Sequence, residues 1–151
     1  MLDFWKVLFV IKLPLYTMLT DNGVWEKILD FSKSHKGKLI PLLNPKKGSP
    51  FTITEVQDDY VRIDKLRIKM TKQMFLSVYN YLKSRRDWVE IGARRVGTRP
   101  DTLEGFIKTQ FFNGNMDALS TATWFSAILV RSNIGVESNN KARGQKLRLN
   151  K

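Results

Sequence analysis

The residues that carry out most enzyme chemistry are scarce in this sequence. It contains no cysteine and one histidine, His35, so thiolate nucleophiles, disulfides and cysteine-based zinc sites are excluded and a Ser–His enzyme is a poor candidate. The phosphate-binding motifs G-x-x-x-x-G-K-[ST] and G-x-G-x-x-G and the zinc motif H-E-x-x-H do not occur. We therefore predict that the protein is not an enzyme, with no catalytic residue, no metal and no cofactor.

Three aspartates, Asp58, Asp59 and Asp64, lie close enough in sequence to be considered as ligands for a nuclease-type divalent ion. They fall where the strand pattern around them is interrupted, and aspartate is common at turns. We interpret them as turn residues. His35 is interpreted in the same way, as a residue at the end of a helix rather than a ligand.

Lysine and arginine supply the remaining chemistry. The 151-residue chain has 26 of them against 14 acidic residues, a formal charge of +12. The excess lies in residues 61–99, with 11 basic against 3 acidic residues, and in residues 118–151, with 6 against 1. Residues 1–60 carry 8 against 7 and residues 100–117 carry 1 against 3. Concentrated positive charge favours a polyanion partner, whereas the alternative is two solvated faces.

The first basic block begins in a predicted antiparallel sheet. Residues 51–70 alternate with the period of strands, with turns at residues 57–59 and 64–65, which predicts three strands with one apolar face. The other face would place a tyrosine that could stack on bases among four cations. Its candidate binding residues are Tyr60, Arg62, Lys65, Arg67 and Lys69. A half-solvated sheet with a basic outer face explains the same pattern equally well.

Two amphipathic helices flank this sheet. Apolar residues at spacings of three and four predict one that is capped by Asp21 or Asn22 and ends near Ser34. Thr71 is predicted to cap a second, KQMFLSVYNYLKSRR, whose last turn holds Arg85 and Arg86. The helix dipole favours cations there with or without a ligand, so these two arginines are candidates only in combination with others.

Residues 87–112 resemble a helix-turn-helix. Ala93 occupies the small position of the first helix, Gly97 falls in the turn, and Pro100 opens the second helix. The apolar positions that would pack the two helices together are Val96, Leu103 and Phe106. The basic residues beside the turn, which the resemblance implies as phosphate contacts, are Arg94, Arg95 and Arg99.

The C-terminus resembles the end of a winged-helix domain. Ser120 or Thr121 could cap a helix through TATWFSAILVR, and two strand-like runs, IGVES and QKLRL, follow with NNKARG between them. The resemblance implies that the basic hairpin tip lies along the nucleic-acid backbone or in a groove. The implied contacts are Lys141, Arg143, Lys146 and Arg148. An ordinary surface hairpin with a basic tail is the alternative.

Neither C-terminal helix is predicted to read base sequence. The helix after Pro100 carries Asp101 and Glu104 in the acidic block, so phosphates would repel it. The next helix is neutral until Arg131 and offers phosphates or bases only hydroxyls. Those hydroxyls belong to Ser120, Thr121, Thr123 and Ser126. We therefore expect contacts mainly to the backbone, with a preference for shape over sequence.

The N-terminal segment 1–17 is apolar but too short to cross a bilayer and lacks the features of a secretory signal. It could pack on the domain, bind a partner or form a homo-oligomer, or be an extension ahead of Met18. No membrane insertion is predicted.

Together these patterns predict an α+β fold. Residues 18–151 would form one compact domain: a helix and a small antiparallel sheet over 18–70, then a winged-helix-like half over 71–151. The predicted function is binding of nucleic acid, DNA rather than RNA and most of all duplex DNA, in the cytoplasm or nucleoid, with a regulatory or architectural role. The alternatives are an RNA-binding or ribosome-associated protein, and a non-enzymatic interaction subunit that docks through residues 1–17. The DNA prediction depends on the cations forming one continuous face.

Overall fold

The structure, a computed structural model, describes residues 20–94, 96–139 and 145–150. In that part of the chain the helices are α1 (Asp21–Ser34), α2 (Lys72–Ser84), α3 (Leu103–Phe111) and α4 (Ala122–Arg131). The strands are β1 (Leu39–Ile40), β2 (Phe51–Gln57), β3 (Tyr60–Ile63), β4 (Met70–Thr71), β5 (Val89–Glu90), β6 (Val136–Asn139) and β7 (Lys146–Leu149). The predicted α+β class is confirmed. The apolar segment 1–17 lies outside the described residues.

The first sheet is antiparallel, with its strands in the order β1-β2-β3-β4. Its inner face is the predicted one, since Phe51, Ile53, Val61 and Ile63 are buried. Asp58 and Asp59 form the turn between β2 and β3, and Asp64 lies in the next turn, where its carboxylate accepts a hydrogen bond from the backbone N–H of Thr52 at 2.9 Å. The predicted number of three strands is wrong, because β1 and β4 are pairings of two residues each, too short to show a period.

Threonines begin both N-terminal helices. The Thr20 hydroxyl accepts from the N–H of Gly23 at 3.1 Å, so the cap of α1 is Thr20 and not the predicted Asp21 or Asn22. The Thr71 hydroxyl accepts from the N–H of Met74 at 3.1 Å, as predicted for α2. Helix α2 ends at Ser84, so Arg85 and Arg86 follow the helix instead of occupying its last turn.

The second half of the described chain runs β5, α3, α4, β6, β7, and its sheet has the order β5-β7-β6. The predicted helix and hairpin are therefore present at the C-terminus. Strand β5 joins them from a distant part of the sequence: Val89 pairs with Leu147 and Glu90 with Lys146. The hairpin is thus held on one side by the segment that follows α2.

The helix-turn-helix is wrong as placed on the sequence. Among the described residues its first helix is absent, because residues 89–90 pair with β7 and residues 91–94 and 96–102 form a loop. The N–H of Ile91 continues the pairing by donating to the carbonyl of Gln145 at 2.9 Å. Helix α3 begins after Thr102, so Pro100 lies in the preceding turn. Val96 is 70 % exposed instead of packing between helices, although Leu103 is buried and Phe106 half-buried.

Two glycines let this loop lie against α3. Gly92 has φ +65°, and a Cβ there would stand 2.4 Å from the Cβ of Thr102. A Cβ on Gly105, in the first turn of α3, would stand 2.3 Å from the carbonyl oxygen of Arg99. Both distances are too short for any larger residue without movement of the backbone. The loop before α3 is consequently a packed part of the fold.

One cluster of buried apolar side chains receives residues from all four helices and both sheets. Phe75 of α2 lies near its middle, with its ring centroid 4.8 Å from that of Phe125 in α4 and 5.8 Å from that of Trp25 in α1. Helices α1 and α2 thus pack against α4 and cover it. A ligand therefore has little access to α4.

Candidate nucleic-acid interface

The cations predicted on the first sheet form a cluster around Tyr60. The Lys69 ammonium lies 4.4 Å and the Arg62 guanidinium 5.7 Å from the centroid of the Tyr60 ring. The Arg62 guanidinium also forms an ion pair with Glu55, at 3.1 Å. Tyr60 is therefore already covered by cations and is not the open stacking platform that the sequence predicted.

Lys65 and Arg67 lie beyond the end of β3 and are exposed. Within the described residues no ion pair joins them to an acidic side chain. These two side chains are the part of the predicted sheet surface that is free to meet phosphates.

A second group of predicted residues meets in a cleft of about 440 Å³ beside the hairpin. The segment that follows α2 supplies Arg85 and Arg86, the loop before α3 supplies Arg99, and β7 supplies Lys146. Three acids share the lining: Asp87, Glu90 and Asp101. The structure thus brings together four cations that are separated by up to 61 positions in the sequence, Arg85 to Lys146.

Arg99 is held by the acids of this cleft. Its guanidinium donates to both carboxylate oxygens of Asp101, at 3.1 and 3.0 Å, and lies 3.3 Å from the carboxylate of Glu90. These contacts keep the pKa of Asp101 below its ordinary value. Arg85 instead lies over the ring of Tyr81, 5.2 Å from its centroid, and donates to the Tyr81 hydroxyl at 3.2 Å.

Arg148 occupies the outer face of the second sheet, outside the cleft lining. Its guanidinium lies 4.4 Å from the centroid of the Trp88 ring and forms an ion pair with Glu137. The register explains the pair, because Glu137 stands opposite Arg148 on β6. The sequence predicted a free phosphate contact here, and the structure shows a cation that is paired on both sides.

A second cleft, of about 400 Å³, adjoins the first and shares Glu90 with it. Its cations are Arg94, which was predicted, and Lys47, which was not. Lys47 ends the short 3-10 helix Pro45–Lys47. The only sequence feature that could have indicated Lys47 is the adjacent pair of lysines in a proline-rich loop, which is weak. Polar groups of Asn44, Thr123 and Gln145 complete the lining.

We call these two clefts together the hairpin-base surface. Its lining holds six cations against three carboxylates. The cations are Lys47, Arg85, Arg86, Arg94, Arg99 and Lys146. The predicted residues Arg95, Lys141 and Arg143 lie outside the described residues, although the sequence places the last two between β6 and β7.

The predicted cations do not form one group among the described residues. Tyr60 and its neighbours pair with β4, at the start of α2, whereas Arg85 and Arg86 follow its end. Helix α2 has 13 residues, which corresponds to about 20 Å. The first-sheet cluster and the hairpin-base surface are therefore separated along the chain by the length of this helix.

The helices α3 and α4 present little to a ligand. No residue of α4 is exposed, and Thr121 and Ser126 are fully buried. The Ser120 hydroxyl donates to the backbone carbonyl of Arg94, so of the four predicted hydroxyl contacts only Thr123 lines a cleft. The expectation that α4 does not read bases has a structural reason, since α1 and α2 cover it.

Glu104 was predicted to repel phosphates and so to oppose insertion of α3 into a groove, but neither Glu104 nor Lys108 of this helix reaches the surface. Both side chains are fully buried. A carboxylate oxygen of Glu104 accepts from the N–H of Ala122 at 3.0 Å, at the start of α4, and burial raises the pKa of Glu104 above 4.5. In this position Glu104 acts as a cap for α4.

Lys108 was not singled out by the sequence. In the described chain its buried ammonium makes three hydrogen bonds. Its ammonium donates to three neutral oxygens: the Thr98 hydroxyl at 2.7 Å, the Met116 carbonyl at 2.9 Å and the Arg94 carbonyl at 3.2 Å. It thereby ties the loop before α3 to the loop after it. An ammonium enclosed by three acceptors in this way is structural.

The described residues have neither a cluster of metal ligands nor a membrane-spanning helix. They contain no group of three or more His, Asp or Glu side chains placed to hold a metal ion. None of their helices has the length and apolar character needed to cross a membrane.

No protein-family model matches the chain, and neither the curated proteins nor the solved structures contain a significant match to it.

Proposed function

We propose that this protein binds nucleic acid, duplex DNA above all, through phosphate contacts at the hairpin-base surface and without catalysing a reaction. The predicted cations do not form the one continuous face on which the sequence prediction depends, so the proposal rests on the hairpin-base surface alone, where six cations converge on two adjoining clefts. They come from four separate parts of the chain, and a cleft lined by cations attracts and orients a polyanion.

The arrangement of elements supports this choice. Two helices followed by a hairpin is the order that resembles a winged helix, and the hairpin carries Lys146 into the first cleft. The sequence adds Lys141 and Arg143 to the same hairpin. A hairpin with this charge would extend the phosphate contacts beyond the clefts.

The acids in the clefts do not oppose the proposal. The ion pairs of Arg99 are exposed, with more than half of its side chain accessible. Exposed pairs stabilise a fold little and are screened by salt. A phosphate can replace the carboxylate of Asp101 as the bidentate partner of a guanidinium. Arg86 and Lys146 have no acidic partner among the described residues and are available directly.

The proposed phosphate contacts do not depend on base sequence. No exposed residue of α4 is available to enter a groove, and α3 buries Glu104 and Lys108. The bound surface therefore consists of cations directed at phosphates, which fix position but carry no sequence information. This fits a regulatory or architectural role in the cytoplasm or nucleoid.

The test is the salt dependence of binding to a labelled duplex. Replacing Arg86 and Lys146 by alanine should weaken binding to all sequences alike and lower the slope of log affinity against log salt by about 2. Lys33 and Lys36 are exposed at the end of α1, so their double alanine variant removes the same charge away from the clefts. That control should leave the slope unchanged.

Three results would overturn the proposal. Affinity that does not vary with salt would exclude phosphate contacts. Equal losses in the two double variants would mean that only net charge matters. Tighter binding to structured RNA than to duplex DNA at the same salt concentration would establish the RNA-binding alternative. Docking through residues 1–17 stays a prediction, which deletion of that segment would test.

A further inference from the structure

Two large aliphatic side chains, Val96 and Leu119, are exposed on neighbouring loops. Val96 is 70 % and Leu119 55 % exposed, and Leu39, at the edge of the first sheet, is the one other exposed large apolar side chain of the described residues. Single exposed aliphatic residues are common on protein surfaces. The position of these two relative to each other distinguishes them from Leu39.

Two hydrogen bonds bracket Val96 and Leu119. The N–H of Gly97 donates to the carboxylate of Asp117 at 3.3 Å, and the Ser120 hydroxyl donates to the carbonyl of Arg94. Arg94 therefore lies opposite Ser120 and Gly97 opposite Asp117, so the loop before α3 and the segment 117–120 run in opposite directions. Val96 lies on the first segment and Leu119 on the second, between the two bonds. We call this pair the aliphatic knob.

The loops that carry the knob are fixed from inside the protein. The buried ammonium of Lys108 binds the Arg94 carbonyl and the Thr98 hydroxyl of the first loop and the Met116 carbonyl of the second. All three acceptors lie within three residues of Val96 or Leu119. The two loops are thus held in place by these three hydrogen bonds. A side chain that inserts between the packed groups of a ligand needs such a fixed backbone.

The charge around the knob favours a polyanion over a protein. Arg94 is exposed and lines the second cleft, and the sequence places Arg95 directly before Val96. The acid nearest the knob, Asp117, already accepts a hydrogen bond from the N–H of Gly97. Two aliphatic side chains are also too small a patch for a stable protein interface, which buries about 800 Å² on each partner. One or two aliphatic side chains beside arginines are, however, what minor-groove proteins insert between base pairs.

We propose that the aliphatic knob is a wedge that inserts at a base-pair step of duplex DNA, from the minor groove, while Arg94 holds the adjoining phosphate or groove edge. The inference rests on the proposed function. It adds a deformation of the duplex to the phosphate contacts and predicts a preference for flexible pyrimidine–purine steps, where unstacking costs least.

The test uses a duplex with 2-aminopurine at a central TA step and fluorescent dyes at its ends. The wild-type protein should raise the 2-aminopurine fluorescence and bring the ends closer together. The double variant Val96→Asn, Leu119→Asn should lose both effects. Its affinity should fall by less than about tenfold, because a variant that does not insert loses the contacts of the wedge but also avoids the cost of unstacking the base pairs. Its salt slope should not change.

Leu39→Asn is the matched control, since Leu39 is 74 % exposed and lies at the edge of the first sheet. This variant should bend and unstack the duplex as the wild type does. All three positions are exposed, so the variants should have the same urea midpoint of unfolding as the wild type.

The outcomes separate this inference from the proposed function. Binding of the duplex with no rise in fluorescence, or a full rise with the double variant, would overturn the wedge and leave phosphate binding intact. Self-association of the wild type that the double variant abolishes, with no effect on DNA, would assign the knob to a protein contact and also overturn it. No binding to any nucleic acid would overturn both proposals.

Discussion

Two regions of this protein concentrate charge, and they use it in opposite ways. On the inner face of α3, Lys108 and Glu104 are fully buried, and the ammonium of Lys108 donates to three neutral oxygens of two loops. At the hairpin-base surface, six cations line open clefts, and the contacts that Arg99 makes are exposed ion pairs. The first arrangement fixes the fold, and the second leaves cations that a ligand can take over.

The difference follows from solvent. Water cannot replace a hydrogen bond that a buried ammonium loses. Each lost bond therefore costs the full desolvation free energy of the group left without a partner. An exposed guanidinium that loses a carboxylate is rehydrated at once, and salt screens the pair in any case. The number of charges in a segment therefore says little about binding until the burial of each one is known. The acidic block 100–117 illustrates this, because Lys108 and Glu104 lie inside it.

The largest expected effect is on the buried side of the comparison. Lys108→Met keeps the length of the side chain but leaves the Met116 carbonyl and the Thr98 hydroxyl without their buried donor. We expect the free energy of unfolding to fall by about 2 to 4 kcal/mol. Urea unfolding measures the change. Lys83→Met, at an exposed lysine of α2, is the control and should change it by less than about 0.5 kcal/mol.

An equal effect of the two lysine variants would contradict the contrast between the regions. It would mean that the three hydrogen bonds of Lys108 contribute no more than exposed hydration does. Lys108→Met should also release the loops that carry Val96 and Leu119, so loss of duplex unstacking in this variant, with phosphate binding retained, would support the wedge as well.

The parts of this structure that the sequence predicted are those set by local pattern. The threonine cap of α2, the alternation in β2 and β3, and the order of helix and hairpin at the C-terminus all depend on residues close together in the chain. Strand β5 has two residues and exists because Val89 and Glu90 pair with residues of β7. A strand of two residues shows no alternation in the sequence. The resemblance of residues 87–112 to a helix-turn-helix therefore rested on local features that include Ala93, Gly97 and Pro100.

Burial of charge was equally hidden from the sequence. Glu104 and Lys108 are four positions apart, the spacing of an exposed ion pair on a helix. Their actual partners, the N–H of Ala122 and the oxygens of Thr98 and Met116, come from other segments of the chain. The site shows the same limit. Arg99 and Lys146 were predicted one by one, but the acids that share their cleft could only be assigned from the fold.

A second prediction concerns the pH dependence of the buried region. Burial raises the pKa of Glu104 above its ordinary value of 4.5, so the folded state keeps its proton to a higher pH than the unfolded state. Between these two pKa values the folded protein binds more protons, and the contribution of Glu104 to stability decreases as the pH rises. Glu104→Gln removes this titration, while its amide oxygen can still accept from the N–H of Ala122.

The free energy of unfolding of Glu104→Gln minus that of the wild type should therefore increase from pH 4 to the raised pKa of Glu104 and stay constant above it. Urea unfolding of both proteins in steps of pH measures the difference. A difference that is constant over the whole range would show that Glu104 has the same pKa in the folded and unfolded states, so that the N–H of Ala122 and the charge of Lys108 offset the effect of burial.

The smallest expected effect is on the exposed side of the comparison. Arg148→Ala removes a guanidinium that lies 4.4 Å from the centroid of the Trp88 ring and pairs with Glu137. Both partners regain water when it is removed, so the free energy of unfolding should fall by about 1 kcal/mol only. Adding salt should reduce this loss, since the ion pair with Glu137 is 42 % and 34 % exposed on its two sides.

Urea unfolding at low and high salt measures the Arg148 effect, and Arg86→Ala, which removes an exposed arginine without an acidic partner among the described residues, is the control. A loss at Arg148 that reaches that of Lys108→Met and does not change with salt would mean that the outer face of the second sheet is a structural network. Its arginine would then be unavailable to phosphates, and the contacts of the proposed interface would end at the two clefts.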